Sequence, residues 1–311
     1  MAQHSNYWFS TCPTKHNITS GLVRNADVLI IGGGITGISL LYQLVNAGIN
    51  NVYLVEESTV GFHASGRSNG QLILRGSTLF SQMPEADGVE YLEFIAENNR
   101  RFLNGLRNVR FDTDLRDSGG LRLATTPEEL VALEKESAFI LKHRDLTCPI
   151  LSSEEVQKMM PKSEFFGAMY VPTEALFNPY KVINGIRELV EEKGPRVLTN
   201  CCVNSIAKTD DGFSVSIRHR GTIKAKKVVY CTSAYTSELL PQLSGSITSF
   251  RGQIIATEFL TDEIIQSIPN MSMTSNNGSE YFRLHGGRLL VGGMRHAVRG
   301  GQLGIMEDGE I

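Results

Sequence analysis

The alternation of apolar and polar residues is most regular between residues 26 and 57. An apolar run at 28–31 leads into Gly32, Gly34 and Gly37, and apolar residues at helical spacing follow. A second apolar run occupies 52–55. Short apolar runs bounded by glycine are typical of buried strands, and apolar residues three and four apart are typical of a helix. The pattern therefore predicts a strand, a tight turn, a helix and a second strand.

Patterns later in the chain predict further helices and strands. Helical spacing of apolar residues predicts helices at 88–108 and at 127–142, with Thr126 as N-cap and Glu129 completing a capping box. Pro179 suits the first turn of another helix. Strands are predicted at 119–124, 197–198, 202–209, 213–217, 222–225 and 228–231, and a hairpin joins 281–284 to 288–292.

The three glycines have the G-x-G-x-x-G spacing, and each has a physical role. Gly32 permits the tight turn, Gly34 lets a diphosphate approach the backbone, and Gly37 allows close packing of the helix on the strand. The first helical turn, with Ile35 and Thr36, offers free N–H groups and a partial positive charge to phosphates. This arrangement predicts dinucleotide binding.

An acidic residue follows the second predicted strand, where a ribose would lie. Glu56 comes 19 residues after Gly37, and its carboxylate can accept hydrogen bonds from ribose hydroxyls. Glu57 is adjacent and can substitute, but Glu56 is preferred because it is the first residue after the strand. A glycine-rich βαβ unit that binds nothing is the alternative.

Length and charge limit the class of protein. The 311 residues are enough for two domains or for one large domain with an insertion. Lys and Arg number 30 against 33 Asp and Glu, a net charge of −3, which gives no general attraction to nucleic acid or to anionic membranes. No apolar stretch approaches the ~18 residues of a transmembrane helix, and the first 25 residues lack the apolar core of a secretory signal.

The cysteines show no pattern of metal ligands or of a disulfide framework. Their number, five, is odd, and no C-x-x-C or Cys/His spacing occurs. We therefore expect structural thiols in a reducing compartment, a cytoplasmic location and no metal site. The cysteines are Cys12, Cys148, Cys201, Cys202 and Cys231.

Small and hydrogen-bonding residues crowd the segment 61–71, directly after the predicted ribose-binding acid. A backbone that lies flat against a planar ligand is one reason for such residues. This ASGRSNGQ-containing segment, the Tyr7-Trp8 start and the ADVLIIGGGITG run together resemble the DAO-type FAD-dependent oxidoreductases. That family includes glycine, sarcosine and γ-glutamylputrescine oxidases, and the sequence looks most like the last branch. It departs at Ser68-Asn69, where that branch usually has Asn-Gly.

The resemblance implies an α/β fold with two domains. The expected fold is a Rossmann-type FAD-binding domain with an inserted α+β substrate domain on a mainly antiparallel sheet. Residues 247–259 resemble one of the long strands of that substrate domain. The implied boundaries are an N-terminal arm at 1–25, the FAD-binding domain at 26–86 and 170–240, and the substrate domain at 87–169 and 241–311. Family members continue for roughly a further quarter of their length, so we expect a C-terminally truncated FAD-binding domain.

The resemblance also implies which residues bind FAD. Val203 would contact the adenine side through its backbone, and Ser233 stands where the family usually has glycine. His63 precedes Ala64-Ser65-Gly66 as in relatives that attach FAD covalently, although the closer branch has glycine there. Non-covalent binding is preferred and the covalent link through His63 stays open. The implied set is Gly32, Gly34, Ile35, Thr36, Gly37, Glu56, Glu57, Ser65, Gly66, Arg67, Asn69, Gly70, Gln71, Val203 and Ser233.

The implied reaction transfers a hydride from the carbon beside an amine to flavin N5. The imine then hydrolyses, and oxygen becomes hydrogen peroxide. A dry, apolar pocket favours the unprotonated amine that reacts. Candidate substrate contacts are Arg251, Gln253, Tyr281 and Arg283. Arg283 can bind a carboxylate in bidentate fashion, but ion pairing or strand packing is the alternative role for all four.

Two other interpretations compete with an amine or amino-acid oxidase. One is a catalytically incomplete FAD-binding fragment or a non-enzymatic remnant. The other is an NAD-dependent dehydrogenase, against which the loop at 61–71 argues. The predicted partners are a small amine and an electron acceptor, with oxygen preferred. The sequence leaves open which amine is used, the oligomeric state and the choice between oxidase and dehydrogenase.

Overall fold

The strands and helices below come from a computed structural model that describes residues 6–12, 21–76 and 78–294. The described strands are β1 Asn25–Ile31, β2 Val52–Val55, β3 Gln71–Leu72, β4 Gly120–Ala124, β5 Ile150–Ser152, β6 Gly167–Val171, β7 Ala175–Leu176, β8 Val197–Leu198, β9 Val203–Thr209, β10 Gly212–Ile217, β11 Gly221–Tyr230, β12 Ile254–Ala256, β13 Ser272–Ser275, β14 Glu280–His285 and β15 Arg288–Gly293. The described α-helices are α1 Ile35–Asn46, α2 Glu85–Asn108, α3 Pro127–Arg144, α4 Ser153–Met159, α5 Pro179–Glu191, α6 Thr236–Leu239 and α7 Asp262–Gln266.

The first of two compact units contains the described residues 6–12, 21–68 and 179–251. Its six-stranded sheet has the order β8-β2-β1-β11-β10-β9. The pairings from β8 to β11 are parallel, and β11-β10-β9 is antiparallel. Successive residues of β1 serve opposite faces, as strand geometry requires: Leu29 packs with Val215 and Ile223, whereas Ile30 packs with Ile38 of α1 and its neighbours. The predicted strand, turn, helix and strand are confirmed.

One strand of this sheet differs from the prediction. The residues predicted as two strands, 222–225 and 228–231, form the single strand β11. Lys226 and Lys227, which interrupt the apolar pattern, lie exposed on it. A polar break in the pattern thus marks an exposed stretch of a continuous strand.

The second unit contains the described residues 69–76, 78–178 and 252–294. Its seven-stranded sheet has the order β12-β15-β14-β13-β4-β6-β5. Only the β13–β4 pairing in it is parallel, so the expected mainly antiparallel sheet is confirmed. Phe80, Leu92 of α2 and Ile140 of α3 form a core with Ala124 and Met169 of the sheet.

Helix α3 begins at Pro127 as predicted, whereas α2 begins at Glu85, three residues before the predicted start. Thr126 caps α3 by accepting from the Glu129 N–H at 3.2 Å. The Glu129 carboxylate accepts instead from the backbone and hydroxyl of Thr125, both at 2.7 Å, so the predicted capping box is wrong. A capping box does form at α4, between Ser152 and Glu155.

The long strand predicted at 247–259 is wrong, because only Ile254–Ala256 is a strand. Its partner explains the length: Ile254 pairs with Gly292 of β15, and β15 ends at Gly293. The neighbouring hairpin between β14 and β15 is confirmed, with Arg283 opposite Leu290.

The changeovers between units lie after Ser68, Asn178 and Arg251, whereas the sequence placed them after 86, 169 and 240. Pairing of β3 with β7 holds the chain after Ser68 in the second unit. The predicted arm and substrate domain include residues 1–5, 13–20 and 295–311, which lie outside the described residues.

Candidate functional site

Two glycines of the turn between β1 and α1 are required by the chain's own packing. Gly32 has φ +107°, and a Cβ atom added there would lie 2.5 Å from the carbonyl oxygen of Cys231. A Cβ atom at Gly37 would lie 2.0 Å from the carbonyl oxygen of Gly32. Neither separation is tolerated between real atoms, so these positions hold the tight turn and the close approach of α1 to β1.

Gly34 differs from them because its neighbours leave room. It has φ −74° and is the N-cap of α1, with no side-chain cap hydrogen bond. An added Cβ atom would meet only Ser65, at 3.0 Å from Oγ and 3.7 Å from Cβ. Gly34 and Ile35 are half-buried and Thr36 is exposed. The positive end of α1 is therefore accessible to a phosphate-containing ligand.

Glu56 lies directly over the glycine turn and is 6% exposed. Its Oε2 accepts the Gly33 N–H at 2.7 Å, and its Oε1 accepts the Ser58 N–H at 2.9 Å. Each carboxylate oxygen has a second lone pair that can accept a hydroxyl hydrogen bond. Glu57 instead contacts Nε2 of His63, at 3.0 Å. Of the two candidate acids, Glu56 is the one at the turn.

The segment after the acid folds back on itself. Residues Ala64–Arg67 form a 3-10 helix, and a Cβ atom at Gly66 would lie 2.0 Å from the carbonyl oxygen of Gly61. The Gly61 N–H donates to the carbonyl of Gly33 at 3.0 Å. The glycines are needed for this compact turn, and the proximity of the segment to a planar ligand stays a prediction. Arg67 donates from Nε to the carbonyl of Phe62 at 2.8 Å.

Ser65 connects this compact turn to the helix start. Its Oγ accepts the N–H of Ile35 at 3.1 Å, which satisfies one of the N–H groups that a helix start leaves open. Ser65 is thus at the positive end of α1, beside Gly34. The structure brings Gly32, Gly34, Ile35, Gly37, Glu56 and Ser65 together at one end of the parallel strands.

The N-terminal segment holds the far end of the same compact turn. Trp8 is 2% exposed and donates from Nε1 to the carbonyl of Ser68 at 2.8 Å. Asn6 donates from Nδ2 to the carbonyl of Gly66 at 3.1 Å. The sequence did not predict these two hydrogen bonds, because a single side-chain donor leaves no periodic pattern.

Both ring nitrogens of His63 face polar groups. Nε2 lies 3.0 Å from Glu57, and Nδ1 lies 3.4 Å from the Tyr235 hydroxyl. A covalent bond to a cofactor would need one of these nitrogens. The imidazole therefore has to leave a partner before it can form such a bond.

Val203 and Ser233, two of the predicted FAD-binding residues, follow segments that bond to the βαβ unit: Cys201 to Glu56 and Cys231 to Ile31. Asn200 and Cys201, just before Val203, donate their N–H groups to the carbonyls of Ser58 and Glu56 at 3.0 and 2.8 Å. Ser233 follows β11 with φ +49°, a left-handed conformation that glycine adopts at lower cost. The glycine that the resemblance implies at this position would therefore adopt the same conformation with less strain.

Asn69, Gly70 and Gln71 begin the second unit. Arg283, which is 0% exposed, donates from Nη1 to the carbonyls of Asn69, Gly70 and Phe177 at 3.2, 2.9 and 2.7 Å. Gln71 donates from Nε2 to two strand carbonyls, both at 3.2 Å. The Arg283 guanidinium thus anchors the backbone of this segment.

The other candidate substrate contacts divide between the units. Tyr281 packs over Gly292, where a Cβ atom would lie 2.3 Å from its ring and 2.9 Å from the Gln253 carbonyl oxygen. Gln253 and Tyr281 are therefore neighbours in the second unit, whereas Arg251 ends the first unit.

A buried ionic cluster in the second unit was not predicted. Arg122 lies 3.2 Å from Glu174 and 3.9 Å from Glu136, and all three side chains are at most 5% exposed. The arginine inside the apolar strand G-L-R-L-A was the available signal. Such a residue must find carboxylates when the strand is buried.

The cysteines are unsuited to nucleophilic chemistry. Burial raises the pKa of Cys231, which follows β11, and raises that of Cys148 to about 11. At neutral pH both thiols stay protonated, and the thiolate is the reactive form. Within the described residues there is no group of three His, Cys, Asp or Glu side chains arranged to hold a metal. None of the described helices combines the length and apolarity needed to cross a bilayer.

Comparison with known proteins identifies the class of this fold and turn. A family model described as "DAO: FAD dependent oxidoreductase" matches residues 27–308. The chain is 25% identical over 304 residues to γ-glutamylputrescine oxidoreductase of Escherichia coli, covering 94% of this chain and 70% of that protein. It is 25% identical over 284 residues to mouse mitochondrial sarcosine dehydrogenase, covering 88% of this chain and 29% of that protein.

Solved structures show the same fold. Glycine oxidase from Geobacillus kaustophilus superposes with a TM-score of 0.65 at 21% identity, covering 86% of this chain and 71% of that one. L-amino acid deaminase from Proteus vulgaris gives a TM-score of 0.70 at 20% identity, covering 88% and 62%. The expected Rossmann-type α/β fold with a second, mainly antiparallel sheet is confirmed.

Proposed function

The chain belongs to the DAO family of FAD-dependent oxidoreductases, and we propose that it oxidises the C–N bond of a small amine or amino acid. The observation that carries the proposal is the substrate chemistry in the names of relatives that match most of the chain. γ-Glutamylputrescine oxidoreductase, sarcosine dehydrogenase and 4-methylaminobutanoate oxidase cover 94%, 88% and 87% of it. Each of these names contains a substrate with an amine nitrogen.

The residues of the first unit fit FAD. Gly34 leaves an open approach at the positive end of α1, and a Cβ atom there would fill it. The diphosphate of FAD carries negative charge, which a helix N-terminus stabilises. Glu56, fixed by two backbone N–H groups, keeps lone pairs for the ribose hydroxyls. These features support the first unit as the FAD-binding unit and the second as the substrate unit.

The chemistry supplied by bound FAD is the acceptance of a hydride from the carbon beside the amine, after which the imine hydrolyses and oxygen receives the electrons as peroxide. In the first unit, the turn residues and Glu56 hold the cofactor in place. In the second unit, Arg283 anchors the Asn69–Gly70 backbone through its three carbonyl contacts. Tyr281 and Gln253, neighbours in the second unit, are proposed substrate contacts, and Arg251 is a separate candidate.

Two alternatives rest on specific observations. The chain spans 70% of one relative and 29% of another, and the first alternative is an FAD-binding fragment without turnover. Relatives named glycerol 3-phosphate dehydrogenase and L-2-hydroxyglutarate dehydrogenase cover 73% and 86% of the chain. Their names favour a C–O substrate as the second candidate function.

Anaerobic reduction of the FAD-loaded chain tests the proposal. Sarcosine, glycine and γ-glutamylputrescine are compared with L-2-hydroxyglutarate and glycerol 3-phosphate, and bleaching of the visible flavin band is followed. We expect at least one amine to bleach the flavin and to give peroxide after air is admitted. Bleaching by hydroxy compounds alone would establish the C–O alternative. Bound flavin that no substrate bleaches would establish the non-catalytic one.

Acid denaturation distinguishes the two modes of FAD attachment. Both His63 nitrogens face polar partners, which supports non-covalent binding. We expect the flavin in the supernatant after precipitation. Yellow colour in the pellet of the wild-type chain, together with a colourless pellet for His63→Ala, would establish the covalent link.

A further inference from the structure

We propose that Asn6 and Trp8 form a clamp that positions Ser65 for the cofactor, which makes Trp8 a positioning residue for FAD binding. The clamp is defined by two side-chain hydrogen bonds, from Asn6 Nδ2 to the Gly66 carbonyl and from Trp8 Nε1 to the Ser68 carbonyl. The inference rests on the proposed FAD site at Gly34 and α1.

The clamp closes one end of a short turn whose other end is already fixed. The Gly61 N–H bonds to the carbonyl of Gly33, inside the glycine turn. At the opposite end, the Trp8 indole N–H holds Ser68 at 2.8 Å. Ser65 lies between these two anchors, and its Oγ reaches the N–H of Ile35 at 3.1 Å. The position of the Ser65 hydroxyl therefore depends on both anchors.

The clamp itself is well held. Trp8 is 2% exposed, and the Asn6 side chain also caps its own short helix by accepting the Trp8 N–H at 3.0 Å. Phe9 packs on Tyr180, with ring centroids 4.5 Å apart, and on Phe62, at 5.9 Å. Because 60 residues separate each donor from its acceptor, the clamp is a tertiary contact and not a feature of the local turn.

Loss of the clamp should weaken FAD binding by loosening the turn. A turn with one free end samples more conformations, and the ligand must then pay for ordering it. Since a neutral hydrogen bond contributes about 0.5–1.5 kcal/mol, which converts to about 2- to 10-fold in affinity, we expect that range for one clamp bond.

The experiment measures FAD affinity by titrating the apo-protein and following quenching of flavin fluorescence. Trp8→Phe keeps an aromatic ring but removes the Nε1 donor. Asn6→Asp keeps the cap to Trp8 but removes the donor to Gly66. Ser10→Ala is the matched control, because Ser10 is exposed and its hydroxyl bonds only within the same short helix, to the Tyr7 carbonyl. The melting temperature of each apo-protein is recorded alongside.

Both clamp variants should raise the Kd for FAD by about 2- to 10-fold, and Ser10→Ala should leave it unchanged. A double-mutant cycle with Ser65→Ala tests whether the clamp acts through Ser65, since coupled residues give non-additive changes in binding free energy. The Kd of Trp8→Phe/Ser65→Ala should then equal that of Ser65→Ala.

Three results would overturn the inference. A lower melting temperature with an unchanged Kd in Trp8→Phe would make the clamp merely structural. Additive changes in Kd in the double-mutant cycle would show that Trp8 does not act on FAD binding through Ser65. A wild-type chain that binds no FAD would overturn the proposed function as well, whereas the first two results leave that function standing.

A direct probe of the clamp is available because Trp8 is the only tryptophan of the chain. Its emission reports on the clamp without interference from other indoles. FAD added to the wild-type apo-protein should quench Trp8 emission with the same Kd as the flavin titration, and Ser65→Ala should shift both values together. Tryptophan and flavin titrations that give different Kd values would contradict the coupling.

Discussion

The glycine turn of the first unit and the Arg122 cluster of the second unit both hold polar groups in fixed positions, by opposite means. At the turn, the polar groups are mainly backbone atoms, and the residues that place them follow one another from Gly32 to Gly37. In the cluster, Arg122 meets Glu174 across 52 residues of sequence. The turn requires glycine, which has no side chain, whereas the cluster requires particular charged side chains.

Because of this difference, the two regions should tolerate different substitutions. Removal of Glu174 leaves the buried Arg122 guanidinium with only the more distant carboxylate of Glu136, at 3.9 Å, and loss of a partner from a buried ion pair is among the largest single-residue effects on stability. A methyl group added at the turn strains the backbone at some positions and blocks only the ligand at another. The two regions should therefore respond differently to matched substitutions.

The largest effect is expected from Glu174→Ala. The Glu174 carboxylate lies 3.2 Å from Arg122 and accepts the Leu74 N–H at 3.1 Å. Removing one partner of a buried ion pair costs about 3–5 kcal/mol, so we expect that loss in the free energy of unfolding, measured by urea denaturation. The control is Glu164→Ala, an exposed site, where a change within about 0.5 kcal/mol is expected. Equal losses in both variants would show that the cluster does not stabilise the unit.

A smaller loss in the free energy of unfolding is expected from Gly37→Ala at the turn. The added Cβ atom would lie 2.0 Å from the Gly32 carbonyl oxygen, so α1 must move away from β1. Overpacking of this kind costs about 1–3 kcal/mol, again measured by urea denaturation. Gly105→Ala is the matched control, because Gly105 lies in α2 with no atom within 4 Å of an added Cβ. That control should gain up to about 1 kcal/mol, and a gain at Gly37 would contradict the close packing.

The smallest effect should be a gain in stability, from Ser233→Gly. Ser233 has φ +49°, and a left-handed conformation costs a residue other than glycine about 1–2 kcal/mol. Part of that gain is lost because glycine also gains freedom in the unfolded chain. We expect a higher melting temperature, corresponding to about 0.5–1 kcal/mol. A lower melting temperature would mean that the serine hydroxyl contributes more than the strain costs.

The glycine turn could be predicted from sequence because its physics is local. Strand, glycines, helix and Glu56 lie within one stretch of chain, and each leaves a mark on composition or spacing. The Arg122 cluster could not, since its partners lie on segments brought together only by the folded sheet. Arg122 alone signalled a buried charge, but nothing in its neighbourhood pointed to Glu136 or Glu174.

The same reasoning applies to three features whose surroundings depend on the fold. The crowding of small residues at 61–71 can be read from the sequence, whereas the close approach of Gly66 to the Gly61 carbonyl cannot. The strand predicted at 247–259 is short because β15 ends at Gly293, which depends on a partner that a local pattern does not include. Arg283 had the residue type of a carboxylate-binding group, and only the fold shows its three backbone carbonyls.

The most direct test of the account is the FAD affinity of Gly34→Ala. An added Cβ atom meets only the Ser65 side chain, at 3.0 Å from its Oγ, and a change from glycine to alanine at an N-cap costs less than about 1 kcal/mol. The matched control is Gly21→Ala, where nothing lies within 4 Å.

We predict that Gly34→Ala stays folded, within about 1 kcal/mol of the wild-type free energy of unfolding, while its Kd for FAD rises at least about tenfold, equivalent to about 1.4 kcal/mol of binding energy. Gly21→Ala should match the wild type in both measurements. An unchanged Kd in a folded Gly34→Ala protein would contradict the claim that FAD approaches the chain at this glycine.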